Sequence, residues 1–412
     1  MTAAAAATID DRGLARGLAR TRRAVRLRAI ALTLPLLLFL VATFVGPIAA
    51  LLTKSVVDTD VSRILPRVTV ALKSWDGQSL PPDSAWAALA DDIRAARAEG
   101  TLASAATRLN YDVTGYRSLL FTTGRRLPDR IEGSVRDAFV GIDPKWAELE
   151  TWGALRRASG PATDFFLLAA LDLKRNAAGS IVQERDDEVV FRMILVRTLW
   201  IAGMVTLVCL LLGYPTAWYL SQQTDRKAAV LLFLVLLPFW TSLLVRTVAW
   251  VVLLQREGVV NDALLSAGLI TEPLKMIFNR FAVYVAMVHV LLPFMILPLY
   301  SVMKAIPPAY LRAASSLGAP PFVAWRRVYL PQTLPGIGAG CLMVFIQALG
   351  YYVTPALVGG ADDQMISYFI AFYASKTINW SMAAALALIL LSVTMALYAL
   401  YQRLLGFDRM QL

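Results

Sequence analysis

The sequence predicts an all-α polytopic membrane protein with six transmembrane helices. Hydrophobic residues make up 58% of the 412 residues and charged residues only 17%, whereas a soluble domain usually contains about 25% charged residues. The mean hydropathy is +0.58, and several uncharged runs exceed the roughly 20 apolar residues that cross a bilayer. One histidine and two cysteines are too few ligands for a zinc or iron–sulfur site. This composition excludes a disordered chain and an ordinary cytosolic enzyme.

The charged residues mark where the spans end. Uncharged runs of 23 to 34 residues lie between them, and one further apolar segment is interrupted only by Arg246. The six predicted transmembrane spans are 29–52, 196–221, 228–254, 281–303, 333–356 and 381–402. No clear signal-peptide cleavage site follows the first span, whose uncharged run is longer than a typical signal-peptide core. We therefore expect it to be retained as a helix.

Basic residues predict the orientation of these spans. Fifteen Lys and Arg residues lie in the segments predicted to share a side with the N-terminus, and four lie in the two short loops on the other side. Because such residues accumulate in the cytoplasm, we expect both termini to be cytoplasmic, with a basic tail at 1–28 and a short tail at 406–412. The net charge of +11 then reflects topology, and the expected partner is the lipid bilayer and no nucleic acid.

Residues 53–192 differ from the rest of the chain, because they contain 19 basic and 20 acidic residues and have the composition of a soluble domain. The predicted topology puts them outside the cytoplasm, between the first two spans. Asp83 is suited to cap a helix over 85–98. Four tryptophans supply core aromatics: Trp75, Trp86, Trp146 and Trp152. We expect a mostly helical extracytoplasmic domain in which these side chains form the core, not a ligand site.

The loop 305–331 interrupts the pattern of spans, and its prolines and glycine predict two short helices joined by a corner. Pro308 can lie in the first turn of the first helix, and Gly318 is suited to the left-handed residue that ends it. Pro321 can start the second helix, which we expect Pro331 to end. The first helix has small side chains and is too short to be stable alone. It is expected to dock against a cytoplasmic partner, or else to lie as a structural turn against the membrane.

Residues 313–331 carry the spacing Ala-Ala-x3-Gly-x9-Val-x-Leu-Pro, which resembles the EAA signature of permease subunits of binding-protein-dependent ABC importers, Glu-Ala-Ala-x3-Gly-x9-Ile-x-Leu-Pro. In that family the loop forms a coupling helix that sits in a groove of the ATP-hydrolysing subunit. Arg312 stands where Glu is usual, which reverses a charge at the docking surface. The ATPase-coupling residues that the resemblance implies are Tyr310, Leu311, Arg312, Ala313, Ala314, Ser315, Leu317, Gly318 and Ala319.

The stretches 213–215, 237–250 and 349–360 extend the resemblance over most of 193–405 and are similar to spermidine/putrescine permeases. The resemblance implies a type I ABC importer permease fold in a bacterial inner membrane, with helices 2–6 and the coupling loop in a permease core at 193–405. It implies three partners: an ABC ATPase dimer, a second permease subunit and an extracytoplasmic solute-binding protein. We therefore expect a transport subunit for a polyamine-like solute, without catalytic residues or a cofactor of its own.

Polar and aromatic residues near the spans are candidates for the translocation path, because carboxylates and aromatic faces attract a cationic polyamine. The candidates are Trp240, Arg246, Tyr351, Tyr352, Asp362 and Asp363. In a continuous third span Arg246 would lie near the outer surface, where snorkelling is the alternative interpretation. The aspartates are alternatively solvated loop residues or contacts to the binding protein. His289 is expected to be packed or hydrogen-bonded, in preference to a proton relay.

Three other classes of protein compete with the importer. A membrane sensor could bind a ligand with the 53–192 domain, but the largest predicted cytoplasmic loop, 304–332, is small for an output domain. A secondary transporter usually has buried ionisable sites, and the predicted spans contain no Asp or Glu. No Ser/His/Asp arrangement within them favours a membrane enzyme. The absence of a Gly-x4-Gly-Lys-Ser/Thr run agrees with ATP hydrolysis in a separate subunit.

Overall fold

The protein is described by a computed structural model that covers residues 11–176, 179–184 and 189–405. These residues are predominantly helical, and the sheet among them is a single antiparallel pair of strands. The prediction of a mostly helical chain is therefore confirmed. The predicted tail at 406–412 lies outside the described residues, as do the first ten residues of the tail predicted at 1–28.

The first span is a long helix that extends away from the other spans. Helix Asp11–Leu40 continues through a π-helical turn, Val41–Val45, into helix Gly46–Thr53. No residue in the most apolar window of Leu27–Thr53 is buried, and Gly46–Thr53 contacts the last span. An apolar surface of this length has to be covered by lipid or by a partner.

The insert between the first two spans is built mainly from short helices. Its helices are Asp60–Ile64, Pro66–Ala71, Asp83–Ala98, Leu102–Asp112, Tyr116–Arg126, Val135–Ile142, Leu149–Arg157 and Phe165–Ala169, its 3-10 turns are Leu72–Ser74 and Pro144–Ala147, and its strands are Leu173–Arg175 and Ile181–Gln183. The predicted cap is shifted by one position: Asp83 is the first helical residue, and Pro82 precedes it. Proline holds the chain extended up to this point, so the helix starts immediately after it.

Tryptophans form the centre of the insert, as predicted. Trp86, Trp146 and Trp152 are fully buried, and the ring centroids of Trp86 and Trp152 are 4.4 Å apart. The indole of Trp146 donates to Oγ1 of Thr123 at 2.9 Å, and that of Trp152 donates to the carbonyl of Trp146 at 2.9 Å. Each buried indole N–H therefore has a partner, which a packed core requires.

A buried aspartate joins the insert to the second span. Asp172 adopts a left-handed backbone conformation with φ of 57°. Its carboxylate accepts hydrogen bonds from the backbone N–H groups of Val190, Phe191 and Arg192, at 3.1, 3.0 and 2.7 Å. It thereby satisfies donors at the start of helix Phe191–Ser221 that have no partner within the helix. The insert is thus tied to the helix that follows it.

The remaining helices form the membrane core. They are Phe191–Ser221, Asp225–Leu236, Leu243–Leu254, Val259–Ser266, Arg280–Ala305, Ala309–Ser316, Pro321–Ala324, Leu330–Gly350, Val353–Val358, Ile366–Ser375 and Trp380–Leu405, with 3-10 turns Leu237–Trp240 and Ala361–Asp363 and the π-helical turn Trp325–Tyr329. The fourth span, Arg280–Ala305, is the most buried and packs against the second and fifth. Within the described chain, five helices are long and apolar enough to cross a membrane, and a bent pair raises this to six.

Glycines allow the spans to approach one another closely. A Cβ at Gly340 would lie 2.7 Å from Sδ of Met295, and a Cβ at Gly213 would lie 2.8 Å from Cγ of the same residue. A Cβ at Gly336 would lie 3.1 Å from the side chain of Val302. Gly336 and Gly340 therefore let the fourth and fifth spans pack closely.

The third span, which the sequence predicts over 228–254, is broken. The helical segments Asp225–Trp240 and Leu243–Ser266 meet at an angle of 93°. Proline at position 238 cannot donate its backbone nitrogen and its ring crowds the preceding turn, which tightens into a 3-10 turn, Leu237–Trp240. Thr241 is then extended, with φ of −100° and ψ of 146°. We call Leu243–Ser266 the second limb of this span.

The fifth span begins earlier than predicted, because Pro331 does not end the second loop helix. Helix Pro321–Ala324 passes through the π-helical turn into Leu330–Gly350, so that Pro331 lies within one helix of membrane-spanning length. Pro331 occupies the first turn after the π-helical segment, where a missing N–H is tolerated. The span ends at Gly350, before residue 356, since Tyr351 is extended.

Contacts between loops define two ends of the bundle. Arg280, at the start of the fourth span, pairs with Asp363 at 3.0 Å. The second span starts at the same end, where Ile366 donates its backbone N–H to Thr198. At the opposite end, Lys304 pairs with Asp225 at 3.1 Å. We call the end with Arg280 and Asp363 the insert end, because the insert joins the bundle there. We call the end with Lys304 and Asp225 the loop end, because the loop 305–331 joins the bundle there.

Candidate functional site

The short helix of the loop ends in a glycine cap. Helix Ala309–Ser316 follows Pro308, and Gly318 takes the left-handed conformation with φ of 82°. The N–H of Ala319 bonds to the carbonyl of Ala314 at 3.1 Å, and the N–H of Gly318 bonds to that of Ser315 at 3.0 Å. This pair of bonds is the Schellman arrangement, and it needs a residue without a Cβ at the left-handed position. The predicted role of Gly318 in ending the helix is confirmed.

The same helix presents an uncovered face. None of its eight residues is buried, and Leu317 beyond its end is 89% exposed. Tyr310 is also exposed, and Phe322 on the next helix is 65% exposed. An apolar side chain as open as Leu317 has no contact within the described chain that would explain its position, and such surfaces mark interaction sites.

The other residues of the predicted coupling set divide into a supporting group and an exposed group. Leu311 is partly buried and lines a cavity with Tyr329 and Ile306 at the loop end, so it holds the helix on the bundle. Ala314 and Ala319 are half-buried, whereas Ala313, Ser315 and Arg312 are exposed. Arg312 also lines that cavity, and its exposed guanidinium is available to a partner of opposite charge.

A second group of polar side chains lies where the second limb meets the fourth span and helix Val353–Val358, which follows the fifth span. The indole of Trp250 donates to Nδ1 of His289 at 3.1 Å. One turn earlier, the hydroxyls of Thr247 and Thr354 lie 3.2 Å apart. His289 is thus hydrogen-bonded, as predicted. The two contacts tie the second limb to both neighbouring segments.

Arg246 lies next to this group and not at the far end of a straight helix. The bend puts it in the first turn of helix Leu243–Leu254, where its guanidinium donates to the carbonyl of Thr241 at 3.2 Å. The predicted depth of Arg246 assumed an unbroken rise along one axis, and the 93° bend removes that assumption.

The predicted aromatic residues have open faces to different degrees. Trp240 is 81% exposed at the bend and Tyr352 is 44% exposed after the fifth span. Tyr351 is half-buried, and its carbonyl accepts a bond from the hydroxyl of Ser367 at 2.7 Å. The structure thus leaves Trp240 and Tyr352 accessible and uses the backbone of Tyr351 to hold helix Ile366–Ser375.

The two aspartates have different environments. Asp363 is buried, and its carboxylate accepts from Nε of Arg280 at 3.0 Å and from the N–H of Gly360 at 3.1 Å. Asp362 is exposed. Asp363 is therefore engaged in holding the insert-end loops together, and Asp362 is the member of the pair that is open to a solute or a partner.

Sequence reasoning missed Trp250, Thr247 and Thr354 as members of the polar group. A signal was present: Trp250 follows Arg246 by four residues, so the two share one helix face. The partner of Trp250 is 39 residues away and the partner of Thr247 is 107 residues away. Pairs this distant are set by the packing of the spans.

The fold and these sites define a multi-pass helical membrane protein with an exposed loop helix. The family of inner membrane components of binding-protein-dependent transport systems matches residues 190–406. The chain belongs to this family, so it is a transport component and not an enzyme. The insert lies almost entirely outside the matched residues.

Curated relatives agree with this assignment. The spermidine/putrescine transport system permease protein PotB of Salmonella typhimurium (strain SL1344) is 37% identical over 210 residues, which cover 51% of this chain and 73% of the relative. The protein of the same name from Haemophilus influenzae is 40% identical over 200 residues, covering 48% and 70%. A chain in the crystal structure of a bacterial alginate ABC transporter, bound to an alginate-loaded periplasmic protein, is 18% identical, with a TM-score of 0.44 over 52% of this chain and 77% of that one.

Proposed function

We propose that this chain forms one half of the membrane path of an ABC importer for a polyamine-like cation. The observation that carries the proposal is the uncovered helix Ala309–Ser316, at one end of a core that matches the permease family. A helix so short and so little buried needs a partner to hold it. In an importer, that partner is an ATPase.

The loop end would face the cytoplasm together with both termini, and the insert end would face outside. The excess of Lys and Arg in the segments at the loop end supports this orientation. An ABC ATPase dimer then meets Tyr310, Leu317 and Arg312. Closure of the ATPases pushes on the helix that links the fourth and fifth spans. Because those spans pack tightly along Gly336 and Gly340, the push tilts them together. The translocation path then closes on one side of the membrane and opens on the other.

The solute assignment rests on the relatives and on aromatic faces. Spermidine and putrescine appear in the names of relatives that are 37% and 40% identical. Trp240 and Tyr352 offer exposed rings, which attract alkylammonium groups. Asp362 offers a free carboxylate at the insert end, and Arg246 forms a positive boundary that keeps a polycation on the aromatic side of the path. The path is completed by a second permease subunit.

The remaining partners follow from the same arrangement. An extracytoplasmic solute-binding protein delivers the solute at the insert end, where the insert contacts it or partly covers the mouth of the path. The insert does not bind the solute by itself. ATP is hydrolysed in the separate ATPase subunits, and this chain carries no cofactor.

The test is to purify the tagged chain from native membranes in mild detergent, to identify the proteins that accompany it, and to identify the bound solute by mass spectrometry. We expect an ATPase, a second permease, a binding protein and a polyamine. Reconstituted in liposomes, the complex should take up spermidine or putrescine only with internal ATP. A complex that contains the ATPase but takes up a different solute would remove the polyamine assignment and leave the importer assignment intact. Purification without any ATPase would contradict the importer.

A further inference from the structure

A cavity of about 670 Å³ lies where the insert meets the ends of the first and last spans. Its wall is formed by Ala50 and Lys54 at the end of the first span, by Trp380 at the start of the last, and by insert residues that include Arg108 and Phe166. The permease mechanism proposed above does not use this cavity. It is also separate from the polar group around His289.

Arg108 is the unusual group in this wall. It is only 4% exposed, its Nε is paired with Asp58, and its two terminal nitrogens have no hydrogen-bond partner among the described residues. The guanidinium carbon lies 4.6 Å from the ring centroid of Phe165 and 4.8 Å from that of Phe166. A guanidinium has five N–H donors, and leaving four of them buried and unpaired is costly. Aromatic contacts hold the group in place but cannot accept its N–H bonds in full.

The position of the cavity suggests what could meet these donors. The first span ends at Thr53, and Lys54 follows it. Trp380 is exposed at the start of the last span. Lysine and tryptophan are typical of the membrane interface, at the level of the lipid headgroups. A planar guanidinium with two free N–H pairs matches a phosphate group, which it can hold through two parallel bonds.

The acidic residues of the wall narrow the choice of headgroup. Asp58 is occupied, because it accepts from Arg108 and from the backbone N–H of Asp60 at 3.3 Å. The carboxylate of Asp60 is about half exposed at the cavity and lies 3.8 Å from Arg63. Basic and acidic groups thus line one cavity, which fits a ligand that carries both charges.

We propose that this cavity binds the zwitterionic phosphoethanolamine headgroup of a phospholipid, with the phosphate on Arg108 and Lys54 and the ammonium near Asp60. The lipid belongs to the leaflet on the insert side, and its acyl chains lie along the exposed first span. Bound in this way, it joins the first span, the insert and the last span. The inference does not depend on which solute is transported.

The test uses the full-length chain purified in mild detergent and native mass spectrometry of the lipid that it retains. Wild-type protein should retain phosphatidylethanolamine and should prefer it at least tenfold over phosphatidylglycerol when both are added in equal amounts. Ala103 is exposed in the cavity wall, so Ala103→Trp should fill the cavity and reduce retention at least tenfold. Ala87→Trp is the matched control, since Ala87 is exposed on another insert helix, and it should retain lipid as the wild type does.

Arg108→Gln should also lose the lipid, and circular dichroism will tell loss of binding from loss of folding. If Arg108→Gln does not fold, the comparison of Ala103→Trp with Ala87→Trp decides whether the cavity binds the lipid. A phosphoethanolamine group could come from a phospholipid or from free phosphoethanolamine. Free phosphoethanolamine, added to the delipidated chain, should bind at least tenfold more weakly than the lipid. Equal retention in Ala103→Trp and wild type, equal preference for phosphatidylglycerol, or tighter binding of free phosphoethanolamine would each overturn the proposal.

Discussion

The indole Nε1 of Trp250 donates a hydrogen bond to Nδ1 of His289 at 3.1 Å, and the two ring centroids are 5.6 Å apart. The bond joins the second limb of the broken span to the middle of the fourth span. Together with the contact between Thr247 and Thr354, it fixes the orientation of a limb that a 93° bend would otherwise leave less constrained.

The first prediction concerns this bond. Trp250→Phe and His289→Phe, made singly and together, should show a coupling free energy of about 0.5–1 kcal/mol, the usual range for a hydrogen bond between membrane helices. The measurement is a double-mutant cycle on unfolding in detergent. Trp200→Phe is the control, because Trp200 is exposed on the second span, and it should show no coupling to His289. Strictly additive effects for Trp250 and His289 would contradict the assignment.

The second prediction concerns docking at the loop end. Gly318→Trp should uncouple ATP hydrolysis from transport without preventing membrane insertion, because it puts a large side chain on the face offered to the ATPase. The left-handed conformation also disfavours any side chain, by about 1–2 kcal/mol. ATPase activity and uptake are measured on the same proteoliposomes.

Gly100→Trp separates the two effects of the Gly318 substitution. Gly100 ends an insert helix with φ of 71° and, like Gly318, has open space where a Cβ would stand. Gly100→Trp therefore imposes a similar backbone strain far from the loop. Transport should be retained in Gly100→Trp. Normal transport by Gly318→Trp would count against docking.

The third prediction concerns the reversed charge at Arg312. If this exposed guanidinium meets an acidic residue of the ATPase, Arg312→Glu should weaken assembly, and the loss should be largest at low ionic strength, where surface charges are least screened. The measurement is a pull-down at two salt concentrations. Arg130→Glu, an exposed residue of the insert, serves as the control. Unchanged assembly at low salt would mean that Arg312 does not face the partner.

The fourth prediction concerns the insert. Residues 55–190 expressed alone should be soluble and helical by circular dichroism, because Trp86, Trp146 and Trp152 form a core without help from the spans. Titration of the fragment with spermidine should give no saturable heat. Trp146→Ala should destabilise it by about 3–5 kcal/mol. Tight polyamine binding by the fragment would revive the sensor hypothesis, and an unfolded fragment would mean that the insert folds only against the membrane core.

The fifth prediction concerns pH. Burial raises the pKa of Asp92 above its ordinary value, and the hydrogen bond from Val68 and the charge of Arg67 oppose this only in part. Between the unfolded pKa near 3.8 and the raised folded pKa, the native state binds more protons than the unfolded state. The contribution of Asp92 to stability therefore falls as the pH rises through this window.

Asp92→Asn keeps an oxygen that can accept from the N–H of Val68 and removes the titration. Its stability relative to wild type should rise from pH 4 to pH 7, as measured by hydrogen exchange at Val68 in the full-length chain. Asp91→Asn is the control, because Asp91 is half exposed beside Arg94, and it should not show this rise. A difference between Asp92→Asn and wild type that does not change with pH would rule out the titration of Asp92.

Parts of the candidate site were predictable because they depend on local chemistry. Gly318 ends its helix because a residue without a Cβ readily adopts the left-handed conformation, and the exposure of Leu317 follows from the shortness of that helix. The partners of Trp250 and Asp363 were not predictable. They lie on other helices, and no local pattern encodes the distance between them.

The sequence by itself determined the class of protein, the number of apolar segments, the tryptophan core of the insert and the loop that resembles a coupling helix. Periodicity and composition carry that information, because each segment must suit water or lipid independently. Only the tertiary structure decided that the third span bends by 93°, that the helix runs through Pro331, and that Asp363 is paired with Arg280. A proline removes one hydrogen bond wherever it stands, but the packing of neighbouring helices decides whether the chain bends there or continues.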